Sequence, residues 1–160
     1  MDTHELERCL TELQDIEAIK QRKAEYCDIC DDAHNPDRIV EIFTEDAVWE
    51  GEGVATTRGH AELRRLFERF AQQVSFSQHN VFNPRIAVKG DTAHGSWNLL
   101  GPFTFREGRR QIWVAVRYEE EYVKRNGKWK IQHLRGVGRM AAPYEAGWES
   151  TTDAGVFAKE

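Results

Sequence analysis

The stretch Asp15–Asp32, DIEAIKQRKAEYCDICDD, reads as a helix with one sticky face. At 100° per residue, Ile16, Lys23, Tyr26 and Cys30 all fall within about 60° of Ile19. Leu6, Leu10 and Leu13 continue the apolar spacing upstream, which places the start of the helix near His4. The apolar face carries a phenol, Tyr26, and the far end carries Asp28, Asp31 and Asp32. A helix that brings Tyr and Asp to the rim of a core can wall a reaction pocket. It can equally well pack Tyr26 with a satisfied hydroxyl and leave the aspartates in water.

Working outward, Asn35-Pro36 is a start signal for a short second helix, with Asn as N-cap and Pro at the first helical position. Ala47–Glu50 and Val54–Arg58 read as short strands around the Gly51-Glu52-Gly53 turn. A third helix runs from His60 to about Gln73, with Leu63, Leu66, Phe67 and Phe70 on its apolar stripe. From Ser75 the pattern is extended: Ser75–Phe82, Arg85–Val88, Thr92–Leu100 with a bulge or kink at Gly101-Pro102, and Phe103–Phe105 before a Glu107-Gly108 hairpin. Arg110–Val123 and Lys128–Gly136 flank Asn126-Gly127, a strong hairpin dipeptide. On the last strand, alternation puts Trp129, Ile131, His133 and Arg135 on one face. Helices gathered before a long meander predict an α+β fold, a curved antiparallel sheet wrapped as a cone around the first helix. Residues 1–136 form the single domain in this reading, and residues 137–160 a C-terminal tail.

A chain of 160 residues, 40% apolar and 31% charged, fits one globular domain. The net charge of −5 argues against nucleic acid as partner. No apolar run reaches the roughly 20 residues of a membrane span, and the acidic start, MDTHELERCL, lacks a signal-peptide layout. Cys9, Cys27 and Cys30 have no framework spacing, which fits a reducing cytoplasm. Cys27, Cys30 and His34 can be read as three metal ligands. A structural zinc site wants a fourth, and redox pairs sit at helix starts, so buried thiols and no metal are the expectation. Five tryptophans and eight phenylalanines suit either an apolar ligand pocket or a packed core.

The order of elements, AVWEG, the Gln78-His79 strand and the closing EYVKRNGKWKIQHL hairpin resemble the SnoaL-like division of the nuclear transport factor 2-like superfamily. The resemblance spans about Ile16 to Arg139. By motif it is nearest to cofactor-free lyases of the scytalone dehydratase, bile-acid dehydratase and hexachlorocyclohexane dehydrochlorinase type. It implies a catalytic pair of His79 and Asp31, with Tyr26 as a further catalytic group. Trp49 matches a pocket aromatic, and an Arg near the final strand matches either Arg135 or Arg139. The groups that assist a departing hydroxide in the dehydratases are missing, since Phe103 and Gly101 stand in their place. A departing chloride needs no such acid.

A neutral imidazole is a competent base near neutral pH. A carboxylate on one ring nitrogen fixes its tautomer and stabilises the imidazolium. In this scheme Trp49, Trp97, Phe103 and Trp113 line the walls, and His133 and Arg135 are secondary candidates. His133 and Arg135 read as readily as a buried structural pair, and Trp97 and Trp113 as plain sheet packing. The expected function is a cofactor-independent lyase acting on a small hydrophobic aromatic, alicyclic or steroid-like substrate, by elimination or by retro-aldol loss of formaldehyde. The alternatives are an isomerase or cyclase of the ketosteroid-isomerase or polyketide-cyclase type, or a non-catalytic binding protein. The resemblance also implies a homodimer or homotrimer through the broad face of the long strands.

Overall fold

The computed structural model describes residues 2–150, so the last ten residues of the expected tail lie outside the described residues. Helix α1 spans Thr3–Asp31, α2 Pro36–Ile42 and α3 Gly59–Gln73. The strands are β1 (Phe43–Gly51), β2 (Ala55–Arg58), β3 (Val74–Ser77), β4 (Asn80–Lys89), β5 (Thr92–Phe105), β6 (Gln111–Arg125) and β7 (Lys128–Pro143). They form one sheet in the order β2-β1-β7-β6-β5-β3, with β4 beside the first part of β5. The fold is the α+β cone expected, with one change: β1 and β7 run parallel, so the sheet is mixed. The final strand also continues to Pro143, well past Gly136, so residues 137–143 belong to the sheet and not to a tail.

Local chemistry accounts for the element ends. The Asp2 carboxylate accepts from the Glu5 N–H at 2.8 Å and caps α1. Asn35 Oδ1 accepts from the N–H groups of Asp37 and Arg38, with Pro36 at the first helical position. Asn126 and Gly127 both adopt left-handed φ values, 51° and 75°, as a tight hairpin turn demands.

Helix α1 divides into two parts. Ile19, Lys23, Tyr26, Cys27, Ile29 and Cys30 are buried against the concave face of the sheet. Leu6, Leu10 and Leu13 stay more than half exposed, so the N-terminal turns overhang the domain instead of extending the buried stripe. Asp15 ties the junction to the last hairpin: its carboxylate accepts from Trp129 Nε1 at 2.9 Å and pairs with Lys124 at 2.7 Å.

Bulges decide which residues face the hollow. Tyr122 pairs with Ile131, but Glu121 pairs with His133, so Gln132 is the extra residue. Beyond it the faces of β7 exchange. Leu134 becomes buried, and His133 and Arg135 turn away from the face held by Trp129 and Ile131. A second shift, between the Ala115–Met140 and Val116–Gly138 pairs, leaves Arg139 exposed on a bulge.

The expected strand Ser75–Phe82 is interrupted at Gln78-His79, between the Ser77–Phe103 and Asn80–Leu100 pairs along the edge of β5. The two backbones run close at this break: a Cβ on Gly101 would lie 1.9 Å from the Gln78 carbonyl oxygen. Gly101 and Pro102 do not kink β5; they pair in register with Val114 and Trp113. A methyl at Gly101 is therefore expected to lift Gln78 and His79 off the strand, at an overpacking cost of about 1–3 kcal/mol. The melting temperature of Gly101→Ala checks this, and an unchanged value would mean the break yields without cost.

Candidate active site

The break at Gln78-His79 frees the backbone N–H of His79 from the ladder. It donates instead to Asp31 Oδ2 at 2.8 Å, while His79 Nδ1 meets Asp31 Oδ1 at 2.6 Å. Ser77 Oγ donates to Asp31 Oδ1 at 3.0 Å, and Gln78 Nε2 to Oδ2 at 3.4 Å. Asp31 is the last residue of α1, so the helix end and the break between β3 and β4 meet on one carboxylate. Burial pushes the Asp31 carboxyl up, but the His79 ring, the His79 N–H and the Ser77 hydroxyl outweigh it and hold it below the usual carboxylate range.

That shift has a sign for stability. The ionised Asp31 contributes fully above its unfolded-state value of about 3.9 and loses the contribution as pH falls through its lower folded-state value. The stability gap between the protein and Asp31→Asn is thus expected to be constant above pH ~4 and to shrink below it. Melting temperatures across pH 2–6 measure this, and a gap that stays flat into acid would remove Asp31 as the responsible carboxylate.

With Nδ1 held, the Nε2 edge of His79 is left for the pocket that it lines. About 720 Å³ of empty space, its open mouth included, is walled by Trp49, Phe67, Phe70, Leu99, Phe103 and Val114. Gly51, Gly136 and Gly138 also belong to the wall. Phe103 packs its ring against His79 with centroids 5.0 Å apart. The polar lining comes from Tyr26, Cys30, His34, Glu52, His79 and Tyr118; no Lys or Arg contributes among the described residues. Tyr26 accepts from Trp49 Nε1 at 3.2 Å. Burial first, then the neighbouring Cys30 and Tyr118, raise its hydroxyl well above the usual phenol value, so it stays a neutral donor.

The structure therefore brings together His79, Asp31, Tyr26, Trp49 and Phe103 and leaves the other candidates elsewhere. Trp97 is buried away from the pocket, donating its N–H to Tyr122 at 3.1 Å. Trp113 lies in a separate groove with its ring on Trp148. His133 meets Glu50 at 3.0 Å as a partly exposed pair, and Arg135 and Arg139 are exposed, outside the lining. The β7 bulges explain the displacement of these last three.

Sequence reasoning missed two features. Beneath the pocket, Lys23 Nζ is fully buried and pairs with Glu120 Oε1, while Tyr122 donates its hydroxyl to Glu120 Oε2. The Lys23 cation lies 3.6 Å from the Tyr118 ring centroid and 4.4 Å from that of Tyr26. The signal was present: Lys23 stands on the apolar stripe, and Tyr118, Glu120 and Tyr122 alternate on one strand face. The second feature is the place of His34, read in the sequence only beside the cysteines: it lines the pocket, buried against Phe67, Phe70 and His79. Burial, then the nearby His79, drop its pKa to about 3, so it is neutral at ordinary pH.

A curled α+β sheet with a lined hollow against its first helix defines a class of small-pocket cone proteins. The chain belongs to the SnoaL-like domain family, whose model matches residues 11–135. It is 29% identical over 114 residues to hexachlorocyclohexane dehydrochlorinase 1 of Sphingobium indicum, covering 70% of this chain and 74% of that one. Among solved structures it resembles a type 2 hexachlorocyclohexane dehydrochlorinase (LinA), with TM-score 0.79, 27% identity and coverage of 86% and 93%. The LinA-type3 enzyme of Novosphingobium barchaimii LL02 is similar too, with TM-score 0.77, 26% identity and coverage of 84% and 92%. No helix among the described residues is long and apolar enough to cross a membrane.

Proposed function

We propose that this chain is a lyase that eliminates HX from a small, largely apolar alicyclic or aromatic substrate, with a halide as the preferred leaving group. His79 Nε2 takes the proton from a carbon next to the one bearing X. The C–H electrons form the C=C bond, the C–X bond breaks, and X leaves as an anion. Asp31 holds the His79 tautomer and stabilises the imidazolium. Tyr26 donates a hydrogen bond to the charge that develops.

The observation that carries this reading is the 2.6 Å His79–Asp31 contact opening onto an apolar pocket. The preference for halide follows from what the lining offers. A departing hydroxide needs an acid, and His34, with its pKa near 3, carries no imidazolium proton to give at neutral pH. The likeness to hexachlorocyclohexane dehydrochlorinases supports the same choice.

The test is a panel of polyhalogenated cyclohexanes and hydroxylated analogues, read by halide release and product mass. Loss of HX supports the proposal. A product of unchanged mass would make the protein an isomerase, and tight binding without turnover would make it a carrier.

A further inference from the structure

We propose that Cys30, His34 and His79 form a binding site for one soft divalent cation of the zinc class. The three are buried, and their ligand atoms all lie within 4.8 Å of one another. Tetrahedral zinc at its usual bond lengths sets N and S ligands roughly 3.4–3.6 Å apart. Small side-chain rotations therefore close the set around an ion, and the pocket supplies the fourth position, for water or an anion.

Three features favour a ligand set over a packing accident. The first is the His79–Asp31 contact. A carboxylate on one imidazole nitrogen is the usual support for a histidine whose other nitrogen ligates a metal. The second is His34. Its ring is buried among Phe67, Phe70 and His79 and lines the pocket beside the His79 ring. The third is the backbone that delivers it. After α1 ends, Ala33 and His34 both take a φ of 52°, and the His34 N–H folds back to the Cys30 carbonyl at 3.1 Å. Successive non-glycine residues in the left-handed region are costly and concentrate where a side chain must be aimed. The sequence expectation of buried thiols without metal thus holds for Cys27 alone in this proposal, and His79 takes the place that Cys27 has in the three-ligand reading of the sequence.

On binding, the Cys30 thiol passes its proton to solvent and the thiolate ligates the ion. The cation occupies the same His79 nitrogen that takes the substrate proton. Loaded protein is therefore inactive in elimination. This last consequence rests on the proposed function; the binding of the cation does not.

The test titrates the metal-stripped full chain with Co²⁺ and then Zn²⁺. One Co²⁺ per chain is expected, with intense tetrahedral visible bands and a thiolate charge-transfer band, both erased by Zn²⁺. A Cys9→Ser/Cys27→Ser variant retains the band and Cys30→Ser loses it. His34→Gln weakens Zn²⁺ affinity by more than the roughly 10–100-fold of an outer-shell loss. Absent stoichiometric binding, an octahedral spectrum, a wild-type spectrum without thiolate transfer, or a band that survives in Cys30→Ser overturns the site. Zn²⁺ bound with undiminished turnover would instead leave the site standing and remove His79 as the base.

Discussion

Replacing His79 with alanine is expected to lower turnover by about 10²–10⁴-fold, the range for losing a positioned general base, while ligand affinity changes little. The ring contributes one edge to the pocket and shares that wall with Phe103 and Phe70, so the apolar surface that grips a substrate survives. What disappears is the acceptor for the proton. Asp31 cannot substitute. It loses its strongest partner, keeps the donors from Ser77 and the backbone at position 79, and lies outside the pocket lining. His79→Gln keeps a polar side chain of similar reach and guards against a folding artefact. If either variant turns over within about tenfold of the parent, below the lower end of the general-base range, proton abstraction belongs to another group.

Replacing Lys23 with methionine is expected to destabilise the fold by about 3–5 kcal/mol, the cost of leaving one member of a buried ion pair alone. Glu120 is 2% exposed, and without Lys23 it keeps only the Tyr122 hydroxyl as a side-chain donor among the described residues. The Lys23 cation also lies against the rings of Tyr118 and Tyr26, so its loss loosens the pocket floor as well. The companion Lys23→Met/Glu120→Gln variant removes both charges and leaves Tyr122 an acceptor. It is expected to recover most of the loss, because the desolvation cost of both ions is lifted together. Urea unfolding of the two variants gives the comparison. A single variant as stable as the double would show that the pair contributes no more than a surface contact.

The sequence reveals more of the fold than of the site, and the residues explain why. Asn35-Pro36, Asn126-Gly127 and the stripe on α3 act through local geometry, which composition and period record directly. Asp31 and His79 were legible because a helix end and a strand, in that order, match a family pattern. The β7 faces were not. One extra residue at Gln132 reverses inside and outside, and nothing in the composition of KIQHLRG marks it. The same holds for the break at Gln78-His79, which falls within the polar run Ser77–Asn80 and has no Gly or Pro to mark it. Trp97 on β5 and Trp113 on β6 lie on strands long enough for either face to be structural. Lys23 and Glu120 were each visible as a charge in an apolar row, but the partners are 97 positions apart, and only the folded sheet joins them.

Part of the hollow consists of carbon the chain never made. At Gly136 a methyl would touch nothing nearer than Val116 at 3.4 Å, whereas at Gly51 it would strike the Trp49 indole at 2.7 Å. Lineages of this protein can therefore trim the substrate envelope one carbon at a time from β7, with the acid–base machinery untouched. The neighbouring strand β1, where Gly51 pairs with Gly136, offers evolution no such dial.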